Sequence, residues 1–189
     1  MPLTSPGPLA DSFRRAQVIR KGDYAYVIHP LLDGVPRCDP ALLKDWVTWA
    51  RLQAPTGAAT LLLAPEAMGP PLAAALSLAT GLPYAIARKR AYGLPGERAA
   101  PAPTGYGAAT LHLNDVGPGD KVLVVDDVLS TGGTLSALFD AVRSSGASLA
   151  GAVVVVDKGT ARPRLESSYR VPVAAAATIT VGPAGVTVL

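Results

Sequence analysis

Two aspartates, Asp126 and Asp127, stand side by side directly after the apolar run Val122-Leu123-Val124-Val125, and the chain then turns through Ser130-Thr131-Gly132-Gly133-Thr134. The two halves of this stretch have opposite electrical character. Ser130, Thr131 and Thr134 carry hydroxyls, while Gly132 and Gly133 permit positive φ and a bare backbone. A helix starting here aims unpaired N–H groups and the positive end of its dipole at the turn, which suits it to surround a phosphate monoester. Capping hydroxyls and paired glycines also make ordinary tight turns, so the acids decide the reading. Adjacent carboxylates at the end of an apolar strand, expected to point to opposite sides, repel each other and are costly unless hydroxyl donors or a cation compensate. A sugar diol accompanied by a magnesium ion supplies both.

Other chemistry-bearing residues are sparser. Arg88 and Lys89 follow an apolar strand at the mouth of a long connection, where a departing anion needs positive charge. Glu66 either orients the turn after its strand or caps the helix that starts near Pro70. Asp-Asp after an apolar strand also resembles the Walker B element, but the chain contains no G-x-x-x-x-G-K-[ST] partner. His29 and His112 lie far apart without an acidic cluster near either, which argues against a metal pair, and His112 alternates with Leu111 and Leu113 as an outward strand residue. Trp46 and Trp49 read as packing residues, and Cys38 as an inert thiol.

The elements that position these residues follow from periodicity. Asp39-Pro40 starts a helix running to about 53, with Leu43, Trp46, Val47 and Ala50 on its apolar face. Thr60 to Ala64 is a strand covered on both faces, Pro70 to Thr80 a helix closed by Gly81, and Pro83 to Ala87 a second strand. From Lys89 to Tyr106 the pattern dissolves into Gly, Pro, Arg and Ala, which predicts a lid-like loop. Ala109 to Leu113, Lys121 to Asp126, Leu149 to Val156, Val173 to Val181 and Val186 to Leu189 are further strands, and Thr134 to Ser145 is a helix ended by Gly146. Strands alternating with helices predict an α/β fold with a mainly parallel sheet, whose ligands bind beyond the carboxyl ends of the strands.

Composition narrows the function classes. The 189 residues, 49% hydrophobic and 16% charged, suit one packed domain. A net charge of +3 with no basic run longer than Arg88-Lys89-Arg90 argues against a nucleic-acid-coating protein. One cysteine allows neither an intrachain disulfide nor a cysteine-based zinc cage. The N-terminus lacks the apolar core of a signal peptide, and no run reaches the ~18 apolar residues of a membrane span. These features point to the cytoplasm.

Val-Val-Asp-Asp-Val-Leu-Ser-Thr-Gly-Gly-Thr, residues 124–134, resembles the phosphoribosyl-pyrophosphate motif of the type I phosphoribosyltransferases. Glu66-Ala67-Met68-Gly69 resembles the pyrophosphate loop of their purine-salvage branch, and Arg88-Lys89 with Leu94-Pro95-Gly96-Glu97 its flexible catalytic loop. Asp33-Gly34-Val35-Pro36 and Tyr106-Gly107 are in register too, so the likeness spans roughly residues 20 to 160, and it is strongest to archaeal-type purine enzymes. The resemblance implies one domain over residues 1–189: a twisted, mainly parallel sheet flanked by helices, with a small N-terminal hood over about 1–40 and a flexible loop over about 89–107. It implies that Asp126, Asp127, Val128, Leu129, Ser130, Thr131, Gly132, Gly133 and Thr134 bind 5-phosphoribosyl-1-pyrophosphate, the acids gripping the ribose hydroxyls and reaching Mg²⁺ only through them or through water. Glu66, Ala67, Met68, Gly69, Arg88 and Lys89 would hold the pyrophosphate, in a turn that often contains a non-proline cis peptide. Val35, Arg37 and Asp157 would border the base, and Tyr106 would belong to the catalytic loop. Adenine enzymes carry Glu-Tyr-Gly where this chain has Gly105-Tyr106-Gly107, so adenine preference does not carry over. The implied partners are a purine base, the pyrophosphorylated sugar and a second copy of the chain. The alternative is a non-catalytic transcriptional regulator of the same fold that senses the activated sugar.

Overall fold

The computed structural model describes residues 7–22, 24–104, 107–182 and 185–189. In chain order the elements are α1 (Gly7–Arg14), β1 (Gln17–Lys21), β2 (Tyr24–Ile28), the short α2 (Pro30–Asp33) and α3 (Pro40–Gln53). Next come β3 (Leu61–Pro65), α4 (Gly69–Thr80), β4 (Tyr84–Ala87), β5 (Arg98–Thr104), β6 (Gly107–Leu113) and β7 (Lys121–Leu129). The chain ends with α5 (Gly133–Ser144), β8 (Ser148–Asp157), α6 (Arg162–Tyr169), β9 (Val173–Gly182) and β10 (Gly185–Val188).

Local chemistry sets the helix ends. Asp39 caps α3 by accepting the N–H of Ala41 at 2.8 Å, with Pro40 in the first helical position where a missing N–H costs nothing. Gly81 ends α4 in the left-handed conformation that a side chain would disfavour.

The apolar runs build one six-stranded sheet in the order β10-β9-β8-β7-β3-β4, parallel throughout except that β10 returns antiparallel to β9. Alternation along the strands feeds two cores. Leu62, Leu123 and Val153 pack with Trp46, Trp49, Leu72 and Leu76 of α3 and α4, whereas Leu63, Val124 and Val154 pack with Leu138 and Phe139 of α5. The α/β architecture expected from the sequence is therefore present. A separate two-stranded antiparallel sheet, β1-β2, lies between α1 and α2 in the chain. Among the described residues no helix is long and apolar enough to cross a membrane.

Two local expectations need correction. The segment expected to lack pattern from 89 to 106 contains β5, which pairs antiparallel with β6 from Arg98↔Leu113 to Thr104↔Gly107. Pro101 and Pro103 disguise it, but an edge strand tolerates proline, and Ala100 and Ala102 alternate inward against the α5 side of the core. Strand β7 also runs past Asp126 to Leu129, because β8 continues beside it as far as Asp157.

Candidate active site

Asp126 and Asp127 lie within β7, so their backbones are fixed by the ladder to β8, where Asp126 faces Val154 and Val128 faces Val156. Asp126 is buried and Asp127 half-buried. The two acids are linked locally, with Asp126 Oδ1 accepting the N–H of Asp127 at 2.9 Å. Burial, then the neighbouring charge of Asp127, holds Asp126 well above the usual carboxylate range, and burial also raises Asp127. Both shifts favour the protonated form of the acids in the free protein. Asp33, at the end of α2, adds its charge to the field at Asp127.

After β7 the chain turns through Ser130, Thr131 and Gly132 into α5. Gly132 sits at φ 80°, ψ 4°, a left-handed conformation, and precedes α5; Gly133, expected to share that freedom, is already helical. Among the described residues no side chain caps α5, which leaves the N–H groups of its first turn directed at this loop.

Opposite lies the turn after β3, where the Glu66–Ala67 peptide is cis and Gly69 opens α4. Gly69 is required by crowding: a Cβ there would stand 2.9 Å from the Val125 carbonyl oxygen and 3.0 Å from Pro65 Cδ. Glu66 reaches across to the end of β4. Its Oε2 accepts the N–H of Lys89 at 2.7 Å, and its Oε1 lies 2.7 Å from Arg88 Nε, off the line of the N–H, so that contact is an ion pair rather than a hydrogen bond. Glu66 thus orients two cationic residues instead of capping α4.

A cavity of about 430 Å³ joins these parts, walled by Glu66, Lys89, Asp126, Asp127 and the run 128–135, with Ala102, Ala109 and Leu111 of the hairpin closing one side. Ala67, Met68, Gly69 and Arg88, placed with the pyrophosphate by the sequence, do not line it. Val35 lines a separate cavity of about 400 Å³ beside Ser12 and His29, and Arg37 is exposed. Asp157 ends β8 buried, with Oδ1 accepting the N–H of Gly159 at 3.1 Å and Oδ2 lying 3.4 Å from Arg162 Nε, so it braces the following turn. Tyr106 lies outside the described residues.

Some contributors escaped sequence reasoning. Glu97 gathers the N–H groups of Tyr92 and Gly93 and the side-chain amide of Asn114, with His112 Nδ1 3.6 Å away. The His112 backbone in turn pairs with that of Arg88, so the cationic end of β4 is tied to the hairpin. His29, set aside as a metal ligand, is a buried cap of α2: Nδ1 accepts the N–H of Leu31, Nε2 meets Ser12 Oγ at 2.8 Å, and the ring stacks on Phe13 at 4.0 Å. Contacts distant in sequence complete both clusters: Asn114 and His112 at Glu97, Ser12 and Phe13 at His29.

Residues 42–186 match the phosphoribosyl transferase domain. The chain is 41% identical over 158 residues to the hypoxanthine/guanine phosphoribosyltransferase of Methanocaldococcus jannaschii, covering 84% of this chain and 86% of that protein. It is 43% identical over 157 residues to the protein of the same name from Ferroglobus placidus, covering 83% of each. Among solved structures, the adenine phosphoribosyltransferase of Giardia lamblia complexed with 9-deazaadenine superposes with a TM-score of 0.75 at 21% identity, over 90% of this chain and 97% of that one. The adenine phosphoribosyltransferase of Rhodothermus marinus gives 0.70 at 21% identity, over 92% and 99%. The sequence matches carry the family, and the structural ones the fold.

Proposed function

The chain belongs to the phosphoribosyl transferase domain family, and from that premise we propose that it is a purine phosphoribosyltransferase. It converts a purine base and 5-phosphoribosyl-1-pyrophosphate to the purine nucleoside 5-monophosphate and pyrophosphate. One observation carries the reading: a single cavity brings together an uncapped helix start with its hydroxyls, a pair of adjacent acids whose burial raises their pKa values, and a lysine. The sugar substrate presents a dianion, a diol and a second anion, and each meets a matching group. The relatives at 40–43% identity are named for hypoxanthine and guanine, so 6-oxopurines are the preferred bases in this proposal.

In the proposed mechanism Ser130 to Thr134 hold the 5-phosphate, and Asp126 and Asp127 accept hydrogen bonds from the ribose hydroxyls. The turn Glu66 to Gly69, with Arg88 and Lys89, receives the pyrophosphate. As the C1–O bond to pyrophosphate breaks and a purine nitrogen attacks, Lys89, held through its backbone by Glu66, faces the charge developing on the leaving group. Val35, Arg37 and Asp157 are assigned to the base side, and Tyr106 to the loop that excludes water.

A divalent cation fits the acidic pair, because positive charge relieves both the burial and the repulsion that keep a proton there. Among the described residues no group of three His, Cys, Asp or Glu is placed to hold a metal ion. Mg²⁺, held by Asp126 and Asp127 through sugar hydroxyls or water, would neutralise pyrophosphate charge. The working form in this reading is a cytoplasmic homodimer.

The test is turnover of hypoxanthine, guanine, xanthine and adenine with the activated sugar and Mg²⁺. The oxopurines should show the higher kcat/KM, and replacing Asp126 and Asp127 together by Asn should lower it at least about a hundredfold. Tight binding of the sugar without nucleotide formation on any base would instead identify a non-catalytic sensor.

A further inference from the structure

We infer that Arg164, on α6, is a positioning residue for the phosphate end of the sugar substrate, acting through the carbonyl of Thr131. The inference rests on the reading of Ser130 to Thr134 as the phosphate cradle. Arg164 Nη2 donates to the Thr131 carbonyl oxygen at 3.2 Å. In a planar trans peptide the C=O of one residue and the N–H of the next point in opposite directions. Drawing the Thr131 carbonyl toward α6 therefore turns the N–H of Gly132 away from α6, and Gly132 lines the cavity.

The first turn of α6 is built against this loop. A Cβ on Gly132 would lie 2.9 Å from Ala161 Cβ, 3.2 Å from Arg164 Nη2 and 3.3 Å from Leu165 Cδ1, so the loop has room for α6 only because Gly132 has no side chain. The link from β8 is locked to the same loop. Lys158 N–H donates to the Leu129 carbonyl at 2.9 Å, and a Cβ on Gly159 would collide with the Ser130 carbonyl oxygen. Leu165, fully buried beside Arg164, anchors the stem.

The charge is also available. Arg162, two residues earlier, lies beside Asp157, whereas among the described residues Arg164 has no carboxylate within 4.0 Å. Its guanidinium therefore adds positive potential behind the cradle, where a phosphate dianion benefits from it.

Calorimetric titration with ribose 5-phosphate, paired with steady-state kinetics, tests this. Arg164→Ala should weaken ribose 5-phosphate binding roughly five- to tenfold, the scale of one ordinary net hydrogen bond, as suits a bond at the surface. KM for the activated sugar should rise in parallel, while KM for the purine and kcat at saturating sugar stay within about twofold of wild type. Arg164→Lys, which restores a positive donor, should recover most of the loss. If Arg164→Ala does not fold, Arg164→Gln, which keeps the length but not the charge, must show the weakened binding. Wild-type affinity in the Ala or Gln variant overturns the inference, as does an equal rise in KM for the purine, which would mark a general structural defect. A wild-type protein that gives no heat with ribose 5-phosphate overturns the cradle reading itself and this inference with it.

Discussion

Asp126 is held protonated by the fold over a pH range in which an unfolded chain would already have released its proton. Because its folded pKa is raised, ionisation favours the unfolded state, and its contribution to stability falls as pH rises above about 4. Asp126→Asn should therefore melt at a higher temperature than wild type at pH 7, converge with it near pH 3, and lose activity; equal melting temperatures at pH 7 would contradict the burial argument. Binding of the magnesium-bearing sugar should release a proton from the pair, visible as a binding heat that varies with the ionisation enthalpy of the buffer. His29 behaves in the opposite sense. Burial lowers its pKa from 6.5 to about 4, so the stability it supports is intact above 6.5 and is lost as pH falls through 4. The full loss amounts to about 3 kcal/mol. His29→Asn keeps a capping side chain for α2 and should flatten thermal stability between pH 6.5 and 4, at the cost of a lower melting temperature at pH 7. The acidic pair was legible in the sequence because both members sit in one strand-turn-helix run, whereas the role of His29 depends on Ser12 and Phe13, which only folding brings to it.

Elements with strong periodicity were legible, and those built from weak apolar residues were not. The central strands are unbroken runs of Val and Leu, but the hairpin β5-β6 turns inward only through alanines in one strand, with prolines between them. Helix α6 has a similar disguise: only Leu165 is buried along it, so no apolar stripe marks it out. The turn at 92–97 depends on the Glu97 carboxylate, whose pKa is lowered first by the Tyr92 N–H, then by Asn114. Glu97→Ala should speed amide hydrogen exchange at Tyr92 and Gly93 by at least about tenfold while leaving exchange in β7 unchanged. A variant with unaltered exchange at both amides would show that the turn holds itself. Gly159→Ala should be damaging in another way, pushing the Ser130 backbone outward and weakening sugar-phosphate binding more than purine binding.

At the scale of the whole molecule, the alternation of strands and helices announced an α/β fold, while strand order was hidden because β3 pairs with β7 across a long stretch of chain. The two cores lie on opposite faces of shared strands, and the cavity sits at the ends of those strands, so a ligand there stabilises the folded chain as a whole. Saturation with the magnesium-bearing sugar at a hundred times its Kd should add about 2.7 kcal/mol and raise the melting temperature by several degrees. An unchanged melting temperature would mean that the cavity does not take the sugar. Both tryptophans of the protein, Trp46 and Trp49, are buried in α3, among the described residues neither indole N–H has a hydrogen-bond partner, and neither lines the cavity. The chain therefore carries an optical gauge separate from its chemistry: ultraviolet emission should be blue-shifted in the native state, shift to the red on denaturation, and stay nearly constant as substrates are added.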